Sequence, residues 1–223
     1  GSDVYANLFI SGTTTLTIDK KAVTIEQLNN YPWDGSLVFK VTPKSSMAFN
    51  LLVRIPGWAQ NQAMPSDLYT FQSLSDKKVE VKINGQPTAF TLEKGYAVLN
   101  RKWKKGDVVE VNLPMEVRRV VANNNLKDDL GKVALQRGPL IYCAEWPDNN
   151  GKVSNLIVPG EASFTTEFKP AMLNGVTILK SEVPAIQISN EQKVSTVSQP
   201  FVAIPYYAWA HRGKGEMMIW FPA

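Results

Sequence analysis

The sequence predicts an all-β protein made of two consecutive antiparallel β-sandwiches, a first over residues 1–115 and a second over residues 116–223. Three observations lead there. Apolar residues almost never recur at helical spacing. Short runs rich in Val, Ile, Thr, Phe and Tyr recur instead, with turn residues about every eight to twelve positions, the pattern of a sandwich or barrel. Two related segments, Tyr31-Pro32-Trp33-Asp34-Gly35 and Arg54-Ile55-Pro56-Gly57-Trp58, mark strand ends. In each, Pro fixes φ and removes a donor, and Gly is expected to supply a positive-φ turn.

The elements follow in order. Strands are expected over 4–10, 13–18, 21–27, 35–41 and 47–54. In the last of these Met47, Phe49, Leu51 and Val53 share one face, and Ala48, Asn50 and Leu52 the other, so one side is read as core. Residues 59–77 read as a long loop, functional or an insertion, with a short strand over 68–71. A strand over 79–83 runs into Asn84-Gly85, the strongest hairpin signal in the chain, with its return expected over 89–92. Strands over 96–100 and 107–113 are expected to form a second hairpin, joined through the basic turn Arg101-Lys102-Trp103-Lys104-Lys105. Leu113-Pro114-Met115 is the boundary. The second half offers 117–122, 132–136, 140–144, 154–158, 163–168, 176–181, 183–188, 201–204 and 216–221.

Composition narrows the function. At 223 residues and 44% hydrophobic, the chain can bury a large core, about 70–75% of its unfolded surface. A formal net charge of +4 is too slight to argue for nucleic acid, and the basic run before Gly106-Asp107 reads as a solvated hairpin end. No stretch reaches the length and apolarity of a membrane helix, and no signal peptide is visible. The opening Gly1-Ser2 reads as an expression remnant ahead of a chain cut from a longer protein.

Chemistry-bearing residues are few. A single Cys143 and a single His211 allow no internal disulfide and no Cys/His zinc site. Cys143 lies in the apolar run 140–144 and reads as a small buried hydrophobe. His211 lies in a Gly-rich turn, and the chain has no Gly-x-Ser-x-Gly elbow for it to serve. A glycosidase needs two carboxylates facing one cleft, and Asp34, Glu145 and Asp148 are the candidates beside aromatics. Turn chemistry accounts for each of them equally well. Of the six tryptophans, Trp33 and Trp58 sit at strand ends, where packing and sugar stacking are both open, with Asp34 beside the first.

Taken in order, these segments resemble a known family. The series runs from Tyr31-Pro32-Trp33-Asp34-Gly35 and Arg54-Ile55-Pro56-Gly57-Trp58-Ala59 through Ile83-Asn84-Gly85, Gly95-Tyr96-Ala97, Gly106-Asp107 and Leu113-Pro114-Met115. It continues in the run from Val133 to Glu145 and in Tyr206-Tyr207-Ala208-Trp209 with Arg212, Gly215, Met217 and Trp220. This resembles the C-terminal half of glycoside hydrolase family 127, the β-L-arabinofuranosidase group. The resemblance implies an N-terminal (α/α)6 catalytic barrel followed by two sandwiches. It also implies a zinc-bound cysteine nucleophile and a glutamate acid/base, all in the barrel. No catalytic, cofactor or metal residue carries over to this chain, and Cys143 corresponds to a position in the second sandwich. The chain alone is therefore predicted to be inactive: an accessory region bracing the barrel, with a homodimer contact in the distal sandwich, plant-type glycans as the parent's substrates, and a secreted or periplasmic location. The alternative is a carbohydrate-binding module with Trp33 or Trp58 as platform. An independent hydrolase using Asp34, Glu145 or Asp148 is the third reading. An excised sandwich is also expected to bare an apolar patch.

Overall fold

A computed structural model describes residues 3–223, so Gly1-Ser2, read above as an expression remnant, lies outside the described residues. In chain order the strands are β1 (Asp3–Ala6), β2 (Gly12–Ile18), β3 (Lys21–Asn29), β4 (Ser36–Pro43), β5 (Met47–Arg54), β6 (Tyr69–Phe71) and β7 (Glu80–Ile83). Next come β8 (Gln86–Pro87), β9 (Thr91–Glu93), β10 (Tyr96–Trp103), β11 (Asp107–Asn112), β12 (Val117–Ala122), β13 (Lys132–Arg137) and β14 (Leu140–Glu145). The last are β15 (Thr165–Lys169), β16 (Val176–Ile188), β17 (Val194–Pro205), β18 (Met217–Met218) and β19 (Phe221–Pro222). Among the described residues only short 3-10 turns interrupt them, so the all-β expectation holds. All pairings are antiparallel except β1, which runs parallel to β5.

The first compact unit comprises residues up to Gln62 and Ser75–Met115. It is a sandwich of a four-stranded sheet, β1-β5-β10-β9, on a six-stranded sheet, β2-β3-β4-β11-β7-β8. The period-two alternation of β5 works as expected: Met47, Phe49, Leu51 and Val53 are buried in the core, and Ala48 and Arg54 face out. Leu37, Phe39, Val109 and Val111 meet them from the six-stranded sheet.

Two hairpin expectations are corrected. Asn84 and Gly85 do form a tight turn, with φ of 54° and 76° as a type I′ turn requires. Its return strand, however, is β8 directly after the turn, not residues 89–92, and β9 crosses to the other sheet. Strands β10 and β11 are not a hairpin at all, because they belong to opposite sheets. The basic turn between them is a corner. Trp103 pins one side of it, fully buried, with its indole N–H donating to the Phe49 carbonyl at 3.0 Å. Asp107 pins the other side, accepting from the Lys104 N–H at 2.8 Å and the Asn84 amide at 2.9 Å. The run read as a solvated end therefore carries the largest side chain of the first core.

Burial pushes the Asp107 carboxyl up, but its hydrogen bonds from Asn84 and Lys104 and the Arg101 and Lys104 charges outweigh this and hold it below the usual carboxylate range. A depressed folded value means the stabilisation is present above the unfolded value near ~4 and is lost as pH falls through the folded value. Urea midpoints measured between pH 6 and pH 2 should fall more steeply for the wild type than for Asp107→Asn, which starts lower.

The glycines of the two opening motifs also work differently from expectation, since neither Gly35 nor Gly57 lies at positive φ. A Cβ on Gly35 would sit 2.0 Å from the Leu113 carbonyl oxygen, so Gly35 is required by close backbone approach. Gly57 opens a 3-10 turn, Gly57–Gln60, and the left-handed residue that ends it is Asn61, at φ 64°. The turn of the first motif contains a cis Tyr31–Pro32 peptide bond.

The second compact unit comprises Ala63–Leu74 and Glu116–Ala223. The continuous first unit expected over 1–115 is thus interrupted. Residues 63–74, read as part of a loop, supply β6, which pairs with β12 in the register Val120↔Phe71. Phe71 is buried there under the Arg118 guanidinium, 3.6 Å from its ring, and Tyr69 stacks on Trp220 at 5.2 Å. The departure and return are clasped by Asn61, whose amide donates to the Ser75 carbonyl and accepts from the Ser75 N–H.

One connected sheet, β15-β16-β17-β14-β13-β12-β6, builds this unit, with β18 on β14 and β19 on β13. The strand expected over 216–221 is split: β18 and β19 enter between the open ends of β13 and β14. The two strands expected over 176–181 and 183–188 are one strand, β16, and β17 extends well beyond 201–204. Residues 154–158 make only a bridge, Leu156↔Ala185, yet Leu156 and Val158 are fully buried. Leu135, Tyr142, Leu179, Phe201 and Phe221 complete the core.

Candidate functional site

Glu145 ends β14 and is buried, at 4% exposure, because the strand is covered on both faces where it stops. A 3-10 turn, Trp146–Asp148, then brings Asp148 back beside it. Arg212, from the Gly-rich turn after β17, lies against both. Its Nε and Nη2 donate to Glu145 Oε2 at 3.0 and 2.5 Å, and its Nη1 donates to Asp148 Oδ1 at 2.9 Å. Glu145 Oε1 accepts from the Ala210 N–H at 2.8 Å. Burial lowers the Arg212 pKa, but the bonds and charges of Asp148 and Glu145 prevail and raise it, so the guanidinium stays cationic.

Two of the sequence-expected carboxylates therefore meet, and a fixed cation consumes them. Glycoside hydrolysis needs one carboxyl poised to give a proton and another free to act on the opposite side of the sugar. Glu145 and Asp148 are both engaged as acceptors on one guanidinium, a structural arrangement. The third carboxylate, Asp34, belongs to the first unit, where its Oδ1 accepts from the Ser36 N–H at 3.0 Å in an Asx turn.

Beside the cluster, Asn149 is fully buried. Its side-chain amide donates to the Glu145 and Val202 carbonyls at 2.8 and 2.9 Å, and its oxygen accepts from the Val202 N–H at 3.0 Å. Trp146 lies over Gly215, where a Cβ would fall 2.0 Å from the indole. Glu216 accepts from the Val153 and Ser154 N–H groups, both at 2.9 Å. The Gly-rich turn is thus held from three sides.

Cys143 is fully buried, and its thiol is pushed up to about 12, first by burial and then by the Glu145 charge. A thiol so held is neither nucleophile nor metal ligand near neutral pH. Ellman's reagent should find essentially no reactive thiol in the native chain at pH 8 and one per chain in 6 M guanidinium. His211 is exposed in its turn. Among the described residues, no three His, Cys, Asp or Glu side chains gather as metal ligands. No helix of the described residues is long and apolar enough to cross a membrane.

Trp58 is half-buried against the first core, and its indole N–H bonds the Tyr31 hydroxyl. Burial raises the Tyr31 pKa, opposed by that bond and by the Arg54 charge, and the Tyr31 ring meets Phe9 edge-on at 5.1 Å. The two opening motifs are therefore joined through Tyr31, Trp58 and Arg54. Trp33 is also half-buried, its backbone N–H donating to the Asn30 carbonyl at 2.8 Å. The first unit's large cavity, about 910 Å³, is walled by Ile55, Ala59, Asn61, Lys77, Lys82 and Phe90 among others, and not by Trp33, Asp34 or Trp58.

The most exposed aromatic grouping was not singled out by sequence reasoning as a contact surface. Tyr206, Tyr207 and Trp209 surround the 3-10 turn after β17 and are 39%, 61% and 41% exposed. The signal was present as three aromatics in four positions following a Pro that ends a long strand.

Fold and site together define a two-unit β-sandwich region whose acidic cluster is an internal brace. Residues 3–115 match the family model of the GH127 β-L-arabinofuranosidase middle domain, and residues 117–222 that of the glycoside hydrolase family 127 C-terminal domain. The chain belongs to glycoside hydrolase family 127. It is 31% identical to a non-reducing end β-L-arabinofuranosidase of Bifidobacterium longum, over 98% of this chain and 33% of that protein. A solved GH127 β-arabinofuranosidase superposes with a TM-score of 0.92 at 39% identity, covering 99% of this chain and 35% of the other. A GH127 β-L-arabinofuranosidase of Geobacillus stearothermophilus T6 gives 0.84 at 35% identity, covering 99% and 34%. The chain thus spans about a third of the length of the relatives it matches.

Proposed function

We propose that this chain is the non-catalytic accessory region of a family 127 glycoside hydrolase acting on plant-type glycans, and that it braces a catalytic barrel preceding the middle domain. One observation carries this reading: the exposed apolar side chains of the entry segment. Tyr5, Leu8 and Ile10 are 52%, 61% and 69% exposed, and Leu28 on β3 is 51% exposed. Phe9, between Leu8 and Ile10, is buried in the core and holds its neighbours outward. A Leu or Ile left in water on a segment anchored this way forgoes part of the roughly 1.5–3 kcal/mol that full burial contributes. They sit at the start of the middle-domain match, and the relatives are about three times as long as this chain. Covering them with the preceding domain recovers that free energy. Zinc and the catalytic residues belong to that domain in this reading.

The isolated chain should show no turnover of aryl β-L-arabinofuranosides with or without zinc, and detectable zinc-dependent turnover would overturn the proposal. In the full-length parent, Leu8→Ser with Ile10→Ser should lower the melting temperature of the catalytic domain. The same change should leave the melting of the isolated region within a few degrees. Self-association through the second unit and export to the periplasm or medium complete the proposal. Sedimentation velocity on the parent and fractionation of its host are the checks.

A further inference from the structure

We propose that the turn carrying Tyr206, Tyr207 and Trp209 is a glycan-binding platform, a secondary site that holds a sugar chain against the second unit. The Tyr206 and Trp209 rings are stacked, 6.1 Å between centroids and 15° between planes, and both remain well exposed. Tyr207, between them in sequence, is the most exposed of the three. An isolated aromatic at the surface is ordinary, but three well-exposed rings on one turn, two of them parallel, gather apolar ring faces and polar edges in one place. Such faces suit the C–H face of a sugar ring, and the tyrosine hydroxyls and the indole N–H at their edges suit its hydroxyls.

The turn is preorganised. Ala208 is buried beneath it, the Ala210 N–H is held by Glu145, and Arg212 is fixed between Glu145 and Asp148. Ligand contact therefore costs little ordering of the backbone. Arg212 also lines, with Lys169 and Met172, a hollow of about 490 Å³, which places polar groups within a few residues of the stacked rings. The buried brace thus acquires a purpose: it fixes the turn that presents the rings.

The ligand class rests on the glycoside hydrolase reading, and the experiment separates the two. The chain is titrated with L-arabino-oligosaccharides, and with xylo- and cello-oligosaccharides for comparison, by tryptophan fluorescence and calorimetry. Wild type is expected to bind at least one series with millimolar or tighter affinity. Trp209→Ala and Tyr207→Ala should each weaken binding at least tenfold while circular dichroism and the melting temperature stay unchanged. Absence of binding to every series at 20 mM sugar overturns the platform and leaves the accessory reading standing. Binding that survives both substitutions also overturns it, because the sugar then sits elsewhere. In the full-length parent, Trp209→Ala should slow hydrolysis of polymeric arabinan while turnover of an aryl arabinofuranoside is kept. Equal loss on both substrates, or shielding of Trp209 from acrylamide by the rest of the parent, would mark the turn as a contact between domains and overturn the proposal.

Discussion

Replacing Arg212 with Ala is expected to destabilise the second unit by about 3–5 kcal/mol, the usual cost of breaking a buried ion network from one side. The loss exceeds that of a surface pair because Glu145 and Asp148 are left with negative charge in a site that excludes water; their side chains are 5% and 14% exposed. Arg212→Lys should recover only part of it, since an ammonium cannot span both carboxylates as the guanidinium fork does. The informative control is the double variant Glu145→Gln with Arg212→Met. It removes the pair together and should cost less than the sum of the two single changes. Urea denaturation followed by circular dichroism reads the wild type, these variants and the single changes Glu145→Gln and Arg212→Met. If Arg212→Ala lost less than ~1 kcal/mol, the cluster would behave as an exposed pair and could not be the element holding the aromatic turn.

Trp103→Ala should be as costly for the first unit, about 3–5 kcal/mol. The indole is fully buried, lies 5.6 Å from the Phe49 ring, has the Arg101 guanidinium 5.3 Å from its own ring and bonds the Phe49 carbonyl. Truncation opens a cavity at the corner where β10 leaves one sheet and β11 enters the other. Trp103→Phe fills most of that space and forfeits the hydrogen bond, so it should cost about 1–3 kcal/mol. Against a total stability of roughly 5–15 kcal/mol for a typical domain, the alanine variant approaches the limit of folding. Chemical denaturation, with Tyr142 and Phe221 of the other unit untouched, distinguishes loss of one unit from loss of both.

Local pattern made much of this legible. The alternation of β5 predicts which of its faces is core, and Asn84-Gly85 predicts its turn type, because both are properties of residues adjacent in sequence. The ordered motifs identify the family for the same reason. What the pattern does not encode is partner choice. Residues 96–100 and 107–113 look like a hairpin because they are strand-like runs joined through the basic run 101–105. Only the burial of Trp103 and the ties of Asp107 show that the turn changes sheets. Residues 63–74 mix the loop-forming Pro65-Ser66-Asp67 with apolar side chains, and their destination depends on Phe71 and Tyr69 finding Arg118 and Trp220 far along the chain. Among the candidate site residues, the convergence of Glu145 and Asp148 could not be read because it runs through Arg212, 64 and 67 positions away. Trp33 and Trp58 drew attention by lying at strand ends, whereas the exposed rings are those of a turn that sequence reasoning absorbed into a motif.

The clasp between Asn61 and Ser75 has a consequence for how the chain is handled. Because β6 is lent to the second unit from within the first, the boundary near residue 115 is not a place where the polypeptide can be cut. A fragment ending there would carry Phe71 and a bare strand edge into solvent, an invitation to aggregation. On the ribosome, β6 must wait for β12, emerging some fifty residues later, before its pairing exists. The two halves, though matched by separate domain models of one family, are therefore expected to fold well only when produced together.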